Sequence, residues 1–386
     1  MTFMMGHFTV DMFGGLMPVL YPLMATQFEL DNKSVGFIAL AYTGSSSLSQ
    51  PLFGYLSDRF GSRYFAVMSM IWSATMVGLA GLSPNYGFLI FAATMAGLGS
   101  GAYHPQGASN AAAVAGDMQR NTAMSVYTVG GTSGYALGPL LGALVFAGFG
   151  SAGTLAVAPV GVIIAMMMLR EFRARGLGLV KHEAAQRAEQ VHIDWRPLAP
   201  VMAIVMIRSW VFLSVVSFIP LWFRDQGYGS PFYSTLTALV IGGGALGTLA
   251  GGVLADRLGE RAVIGSSLIV SLPFLIVFAL FPGPLSLAVG PLFGFFADMS
   301  ISVTLVIAQR LLPGRVGVAS GVILGMGFVT GGIGVPVTGA IADSIGTGPA
   351  ILVTSSLLAV AAAVAMLIPR GAMRNPRSRP ARLADI

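Results

Sequence analysis

Twelve apolar runs follow one another along this chain, separated by short polar or Pro/Gly-containing breaks, and that succession leaves few folds open. They cover about 3–28, 35–56, 64–82, 86–113, 122–148, 152–170, 198–224, 232–255, 262–281, 284–309, 316–342 and 348–368. A bilayer core about 30 Å thick takes roughly 20 apolar residues per helix, so each run is the length of one crossing. Runs beyond 25 residues imply tilted or kinked helices rather than extra crossings. Charge agrees: only 9% of the 386 residues are Asp, Glu, Lys or Arg, against about 25% in soluble domains. So few charges cannot cover a water-exposed surface. The 51 glycines suit helices packed closely in lipid. With no cysteine, disulfide frameworks, thiolate metal sites and cysteine nucleophiles are excluded. The first run begins almost at Met1, is too long for a cleavable signal peptide and carries His7 and Asp11, so it reads as the first span.

Basic residues orient the bundle. With both termini cytoplasmic, 18 of the 21 Lys and Arg fall on that side; Lys33 and Arg224 fall on the other, and Arg208 falls inside a span. The longest polar segment, 171–196, divides the chain into an N-terminal half at 1–170 and a C-terminal half at 197–369. It reads as a cytoplasmic linker, and 370–386 as a basic tail that touches anionic lipid. The fold class expected is an all-α polytopic membrane protein of twelve transmembrane helices in two pseudo-symmetric six-helix halves. The isoelectric point near 9.8 reflects this one-sided basic charge, so nucleic acid is not an expected partner.

The halves repeat. GYLSDRFGSR at 54–63 matches GVLADRLGER at 252–261 at a constant offset of 198. Gly54, Asp58, Arg59, Gly61 and Arg63 map onto Gly252, Asp256, Arg257, Gly259 and Arg261, each copy joining the second and third spans of its half. Glycines permit a tight turn, and the carboxylate can cap a helix N-terminus or pair with arginine. A soluble turn would need none of this agreement. The G-x-L-x-D-R-x-G-x-R pattern resembles the signature of the major facilitator superfamily, whose twelve-span architecture the whole chain matches. That resemblance implies a gating role for these loops, most directly for Asp58, Arg59 and Arg63. Ser62 and Glu260 stand where a basic residue is common.

In the fifth span, GYALGPLLG at 134–142 resembles the core of the antiporter motif of that superfamily, with Ala143 in place of the usual last glycine. Gly134, Gly138 and Gly142 share one helix face and Pro139 removes a backbone bond, so the same residues also suit plain close packing. Further strings resemble the fosmidomycin-resistance-type efflux subfamily: His7 with Asp11, Tyr21-Pro22, Gln50-Pro51 with Gly54-Tyr55, His104-Pro105, and AQRLLPGRVG at 308–317. The resemblance implies proton-driven export of small toxic compounds, phosphonate antibiotics among them.

Independently of any family, a few polar groups stand where lipid makes them costly, about 2.5–3.5 kcal/mol for a charge at mid-span. They are His7 and Asp11 on span one, His104 on span four, Arg208 on span seven and Asp298 on span ten. Subtracting the repeat offset, 208 − 198 = 10 and 298 − 198 = 100, so Arg208 and Asp298 correspond to positions beside Asp11 and His104. Polar groups on equivalent helices are expected at a site between repeats. His7 and Asp11, at i and i+4, can pair, and Asp11 is the leading proton carrier with His7 and His104 as partners. Arg208, which cannot readily deprotonate, suits an anionic substrate group or a counter-charge to Asp11 or Asp298. Gln50, Tyr103, Gln106 and Trp210 are candidate substrate lining, and Phe212 could pack on an organic cargo. Each also has a bland role in packing or anchoring.

The expected function is therefore a proton-coupled antiporter of the plasma (inner) membrane that exports a small molecule by alternating access. A proton-coupled importer of an organic acid or sugar derivative competes with it. The expected partners are a small-molecule substrate, protons and lipid around a monomer, with the proton gradient as energy source and no cofactor or metal. No Ser/His/Asp set, metal cluster or nucleotide loop supports an enzyme.

Overall fold

The computed structural model describes residues 2–60, 64–115, 120–174, 195–311 and 316–368. The first half consists of α1 (Thr2–Phe28), α2 (Asn32–Phe60), α3 (Tyr64–Ala80), α4 (Tyr86–Ala115), α5 (Arg120–Phe149) and α6 (Thr154–Ala174). The second consists of α7 (Trp195–Asp225), α8 (Ser230–Leu258), α9 (Glu260–Leu280), α10 (Ser286–Asp298), α11 (Ser300–Leu311), α12 (Val316–Ile345) and α13 (Thr347–Val364). Among the described residues there is no strand. At about 1.5 Å per residue the 30-residue helices run some 45 Å, longer than a bilayer core and hence tilted or protruding.

One difference from the twelve expected spans is that the tenth is two helices, α10 and α11, separated at Met299. The break is stabilised from α8: the Thr248 hydroxyl donates to the Asp298 carbonyl at 3.2 Å, and the Ser302 hydroxyl donates to the Thr248 carbonyl at 2.9 Å. Of the expected linker, 171–174 close α6 and 195–196 open α7. The rest of it lies outside the described residues, as does the tail at 370–386.

By length and hydropathy alone, eight segments among the described residues could cross a membrane. Helices α2 and α4 fall short of that test because serines, Gln50, His104 and Gln106 dilute them. Their polar residues lie on helices packed against other helices: α2 packs on α4 and α12, and α4 also packs on α3 and α1. Outward faces are apolar, and Leu144 and Leu249 are 73% and 72% exposed. Lipid tolerates what water would penalise.

The helix pairs that pack most extensively are α1 with α5, α2 with α12, α2 with α4, and α8 with α10, followed by α7 with α12. In the α1–α5 pair, Gly130, Gly134 and Gly138 of α5 lie on the carbonyls of Met4, Phe8 and Met12, so close that an added Cβ would overlap each oxygen. In the α8–α10 pair, Gly243, Gly247 and Gly251 lie likewise on the carbonyls of Pro291, Phe295 and Met299. Without a hydrophobic drive between helices in lipid, this close backbone approach is what holds such pairs together. The halves meet through α2–α12, α5–α8 and α1–α7.

Candidate functional site

His7 and Asp11 lie one turn apart on α1, with His7 Nε2 3.2 Å from Asp11 Oδ2. His104 of α4 approaches from the other side, its Nε2 3.0 Å from Asp11 Oδ1. The carboxylate is thus held between two imidazoles, each on a different oxygen, and all three side chains are about three-quarters or more buried. Both far nitrogens are tied to the backbone: His7 Nδ1 is 2.8 Å from the Tyr127 carbonyl, and His104 Nδ1 is 2.7 Å from the Ser100 carbonyl. The phenol ring of Tyr127 stacks on His7 at 4.1 Å, and its hydroxyl donates to the His104 carbonyl at 3.3 Å. The three facing atoms lie within 4.8 Å of one another, close enough to share protons.

Helix α5 makes this arrangement possible. Tyr127 and Gly131 are one turn apart, and a Cβ at Gly131 would fall 2.5 Å from both His7 Nε2 and Asp11 Oδ2. Only glycine lets the His7 ring settle against the Tyr127 carbonyl. The motif glycines continue the same face. Gly134 and Gly138 pack on the α1 backbone, and Gly142 sits against Leu16. The glycines of the 134–142 stretch therefore form the surface that holds the Asp11-bearing helix.

In the second half Arg208 of α7 donates through Nη1 to the Asp298 carboxylate and through Nη2 to Ser209 Oγ at 2.8 Å. Both partners are buried. Of the counter-charges expected for Arg208, Asp298 is thus the one it meets. Each half accordingly holds an acid–base pair between its first and fourth spans, with the signs exchanged: acid on α1 and base on α4, base on α7 and acid on α10. Tyr135 of α5 is within electrostatic reach of both Asp11 and Asp298.

The other lining candidates divide. Trp210 is partly open; its indole donates to Thr338 Oγ1 at 3.0 Å and its ring packs on Gly334. It borders a cavity of about 480 Å³ with Met202, Met206 and Ile207 of α7 and Thr330 of α12. Gln50 is half-buried on α2. Tyr103, by contrast, is fully buried between Gly6 and Gly107 and donates to the Phe3 carbonyl at 3.4 Å, so it packs α4 on α1. Gln106 is buried as well, and Phe212 stacks on Phe293 at 6.2 Å.

Of the loop residues, Gly61 and Arg63 lie outside the described residues, as do the side chains of Asp58, Arg59 and Asp256. Gly54 lies on α2 and Gly252 on α8. Gly259 is the single residue between α8 and α9, with φ of +93°, a conformation that asks for glycine. Arg257 is exposed. Arg261 donates to the Ile368 carbonyl, a contact inside its own half.

Residue types could not flag Tyr127 and Ser100, which act through their carbonyls. Gly131 had a weaker signal, since it adjoins Gly130, the residue in register one turn before the motif.

The model of the Major Facilitator Superfamily matches residues 3–323 and 201–385. The MFS-type transporter YfnC of Bacillus subtilis (strain 168) is 32% identical over 94% of this chain and 90% of its own length. The fosmidomycin resistance protein of Escherichia coli (strain K12) is 28% identical over 88% of this chain and 85% of its own. Among solved structures, a bacterial homolog of the human lysosomal transporter Spinster, in an inward-facing and occupied conformation, superposes with a TM-score of 0.80. Its identity is 15%, and the match covers 95% of each chain. A membrane bundle of paired halves, each with an acid–base pair buried between its first and fourth spans, and these matches along nearly its full length establish that the chain belongs to the Major Facilitator Superfamily, a family of transporters rather than enzymes.

Proposed function

We propose that the protein is a proton-coupled antiporter that exports small organic compounds by alternating access across the plasma (inner) membrane, as a monomer with both termini cytoplasmic. One observation carries this: among the described residues, Asp11, within a membrane span, meets no Lys or Arg but two imidazoles, groups that exchange protons near neutral pH. The similarity to a fosmidomycin resistance protein supports export. The cavity wall of Met202, Met206, Ile207 and Trp210 suits an apolar cargo body. An anionic group, such as a phosphonate, would engage Arg208 by displacing Asp298. Loading of the triad and binding of cargo then alternate, and the energy comes from the proton gradient without a cofactor.

The test is reconstitution of the full chain in vesicles with an imposed pH gradient and a screen of candidate compounds for linked proton movement. Asp11→Asn should abolish gradient-driven transport while leaving downhill exchange of cargo. Coupled proton flux that survives Asp11→Asn would overturn the assignment.

A further inference from the structure

We propose, building on the proton-coupled function above, that the Ser100 and Tyr127 carbonyls lock the tautomers of His104 and His7, so that the triad takes up two protons rather than one. A carbonyl oxygen can only accept, so at 2.7 and 2.8 Å both Nδ1 atoms must carry hydrogen in every protonation state. The neutral form of each ring is thereby the Nδ1–H tautomer, and its Nε2 presents a lone pair. Both Nε2 atoms face oxygens of the same carboxylate at 3.0 and 3.2 Å. With no added proton, lone pairs oppose lone pairs on both sides of Asp11, and the triad carries −1. One proton satisfies one side and leaves the triad neutral. Two satisfy both, one between His7 Nε2 and Oδ2 and the other between His104 Nε2 and Oδ1, and the charge becomes +1.

The surroundings leave the count to the triad. Among the described residues, the groups within electrostatic reach of Asp11 from the neighbouring helices are tyrosines: Tyr42 of α2, Tyr103 of α4, and Tyr127 and Tyr135 of α5. Arg224 of α7 meets α1 at Pro22, three turns away. Arg208 is taken by Asp298. Loading therefore swings the charge on the α1–α4 side from −1 to +1, while the Arg208–Asp298 pair stays neutral. Gly131 keeps both sides equivalent by leaving room for the His7 contact.

The chain has only four histidines, so ¹⁵N-histidine labelling of the full-length protein gives a spectrum simple enough to assign with single substitutions. His7 and His104 should both appear as the Nδ1–H tautomer at high pH and both as imidazolium at low pH. A pH jump in weakly buffered detergent solution should show two more protons taken up by the native chain than by Asp11→Asn combined with His7→Gln and His104→Gln. His7→Gln or His104→Gln alone should lower uptake by one. An Nε2–H tautomer at either ring, or a total uptake of one, would overturn the proposal. The tautomers are read on the native chain, so a poorly folding variant does not remove the test. Two-proton uptake without gradient-driven transport would instead refute the antiporter function and leave the proton count standing.

Discussion

Asp343, near the end of α12, accepts a hydrogen bond from the backbone N–H of Asn32 at 2.8 Å, joining residues 311 positions apart. Its other oxygen accepts the Lys33 N–H at 2.9 Å, and the Asn32 side-chain amide adds a third bond at 2.9 Å. These are the unpaired N–H groups at the start of α2, where the helix dipole favours a carboxylate. Beside them Arg224 of α7 donates to the Pro22 carbonyl at 2.7 Å and to Thr26 Oγ1 at 3.1 Å. Both contacts close the two halves against each other at the end where α1 turns into α2.

In the proposed alternating-access cycle this end has to open, and Asp343 would then serve as a latch. Losing a helix-capping side chain costs about 1 kcal/mol, or roughly fivefold in an equilibrium. Asp343→Ala should shift the population toward the open form by that factor. The chain lacks cysteine, so spin labels at Lys33→Cys and Ser344→Cys report the separation cleanly. An unchanged distance distribution would count against the latch.

The same helix start carries a pH dependence. Asp31 precedes α2, and hydrogen bonds from Ser34 hold its carboxyl below its ordinary value of 3.8. A depressed folded value means that the stabilisation is present above 3.8 and is lost as the pH falls below it. The Lys33–Ser344 label distance should therefore broaden in acid, and Asp31→Asn should flatten that response.

The Arg208–Asp298 pair is buried, so removing one partner strands a charge. Asp298→Asn or Arg208→Met alone is expected to cost about 3–5 kcal/mol, and an apolar replacement of both should recover most of it. Thermal unfolding in detergent measures the cycle. Additive single effects would show that the pair is not coupled.

At Gly131, alanine places a methyl group 2.5 Å from the His7–Asp11 contact, whereas Gly148 on the same helix has nothing within 4 Å of such a group. Gly131→Ala should destabilise by about 1–3 kcal/mol through overpacking and reduce gradient-driven transport at least tenfold. Gly148→Ala should change neither. Equal behaviour of the two variants would remove the special role of Gly131.

Hydropathy by itself was an incomplete guide to the spans. By length and hydropathy alone α2 and α4 are missed because polar residues dilute them, α3 is too short at 17 residues, and α5 and α6 run together as one segment. The polar and Pro/Gly breaks between apolar runs gave all twelve spans, and the repeat at offset 198 related the two halves. The costly charges were also legible, since lipid excludes a charge that has no purpose, and His7, Asp11, His104, Arg208 and Asp298 all prove to be paired. Their partners were not. The fold groups them into one acid–base cluster per half. Tyr103 shows the same limit: a polar aromatic on a cavity helix looks like lining, and only packing reveals that it faces α1.

The sequence by itself determined that the chain lives in lipid, how often it crosses, and which side chains have no cheap reason to be there, because burial of charge and length of apolar run are local costs. Only the tertiary structure decided which carbonyls fix the histidines, which glycines carry helix backbones, and that Asp343 closes on Asn32. Those contacts depend on how helices far apart in the chain approach and rotate against one another, which no single segment specifies.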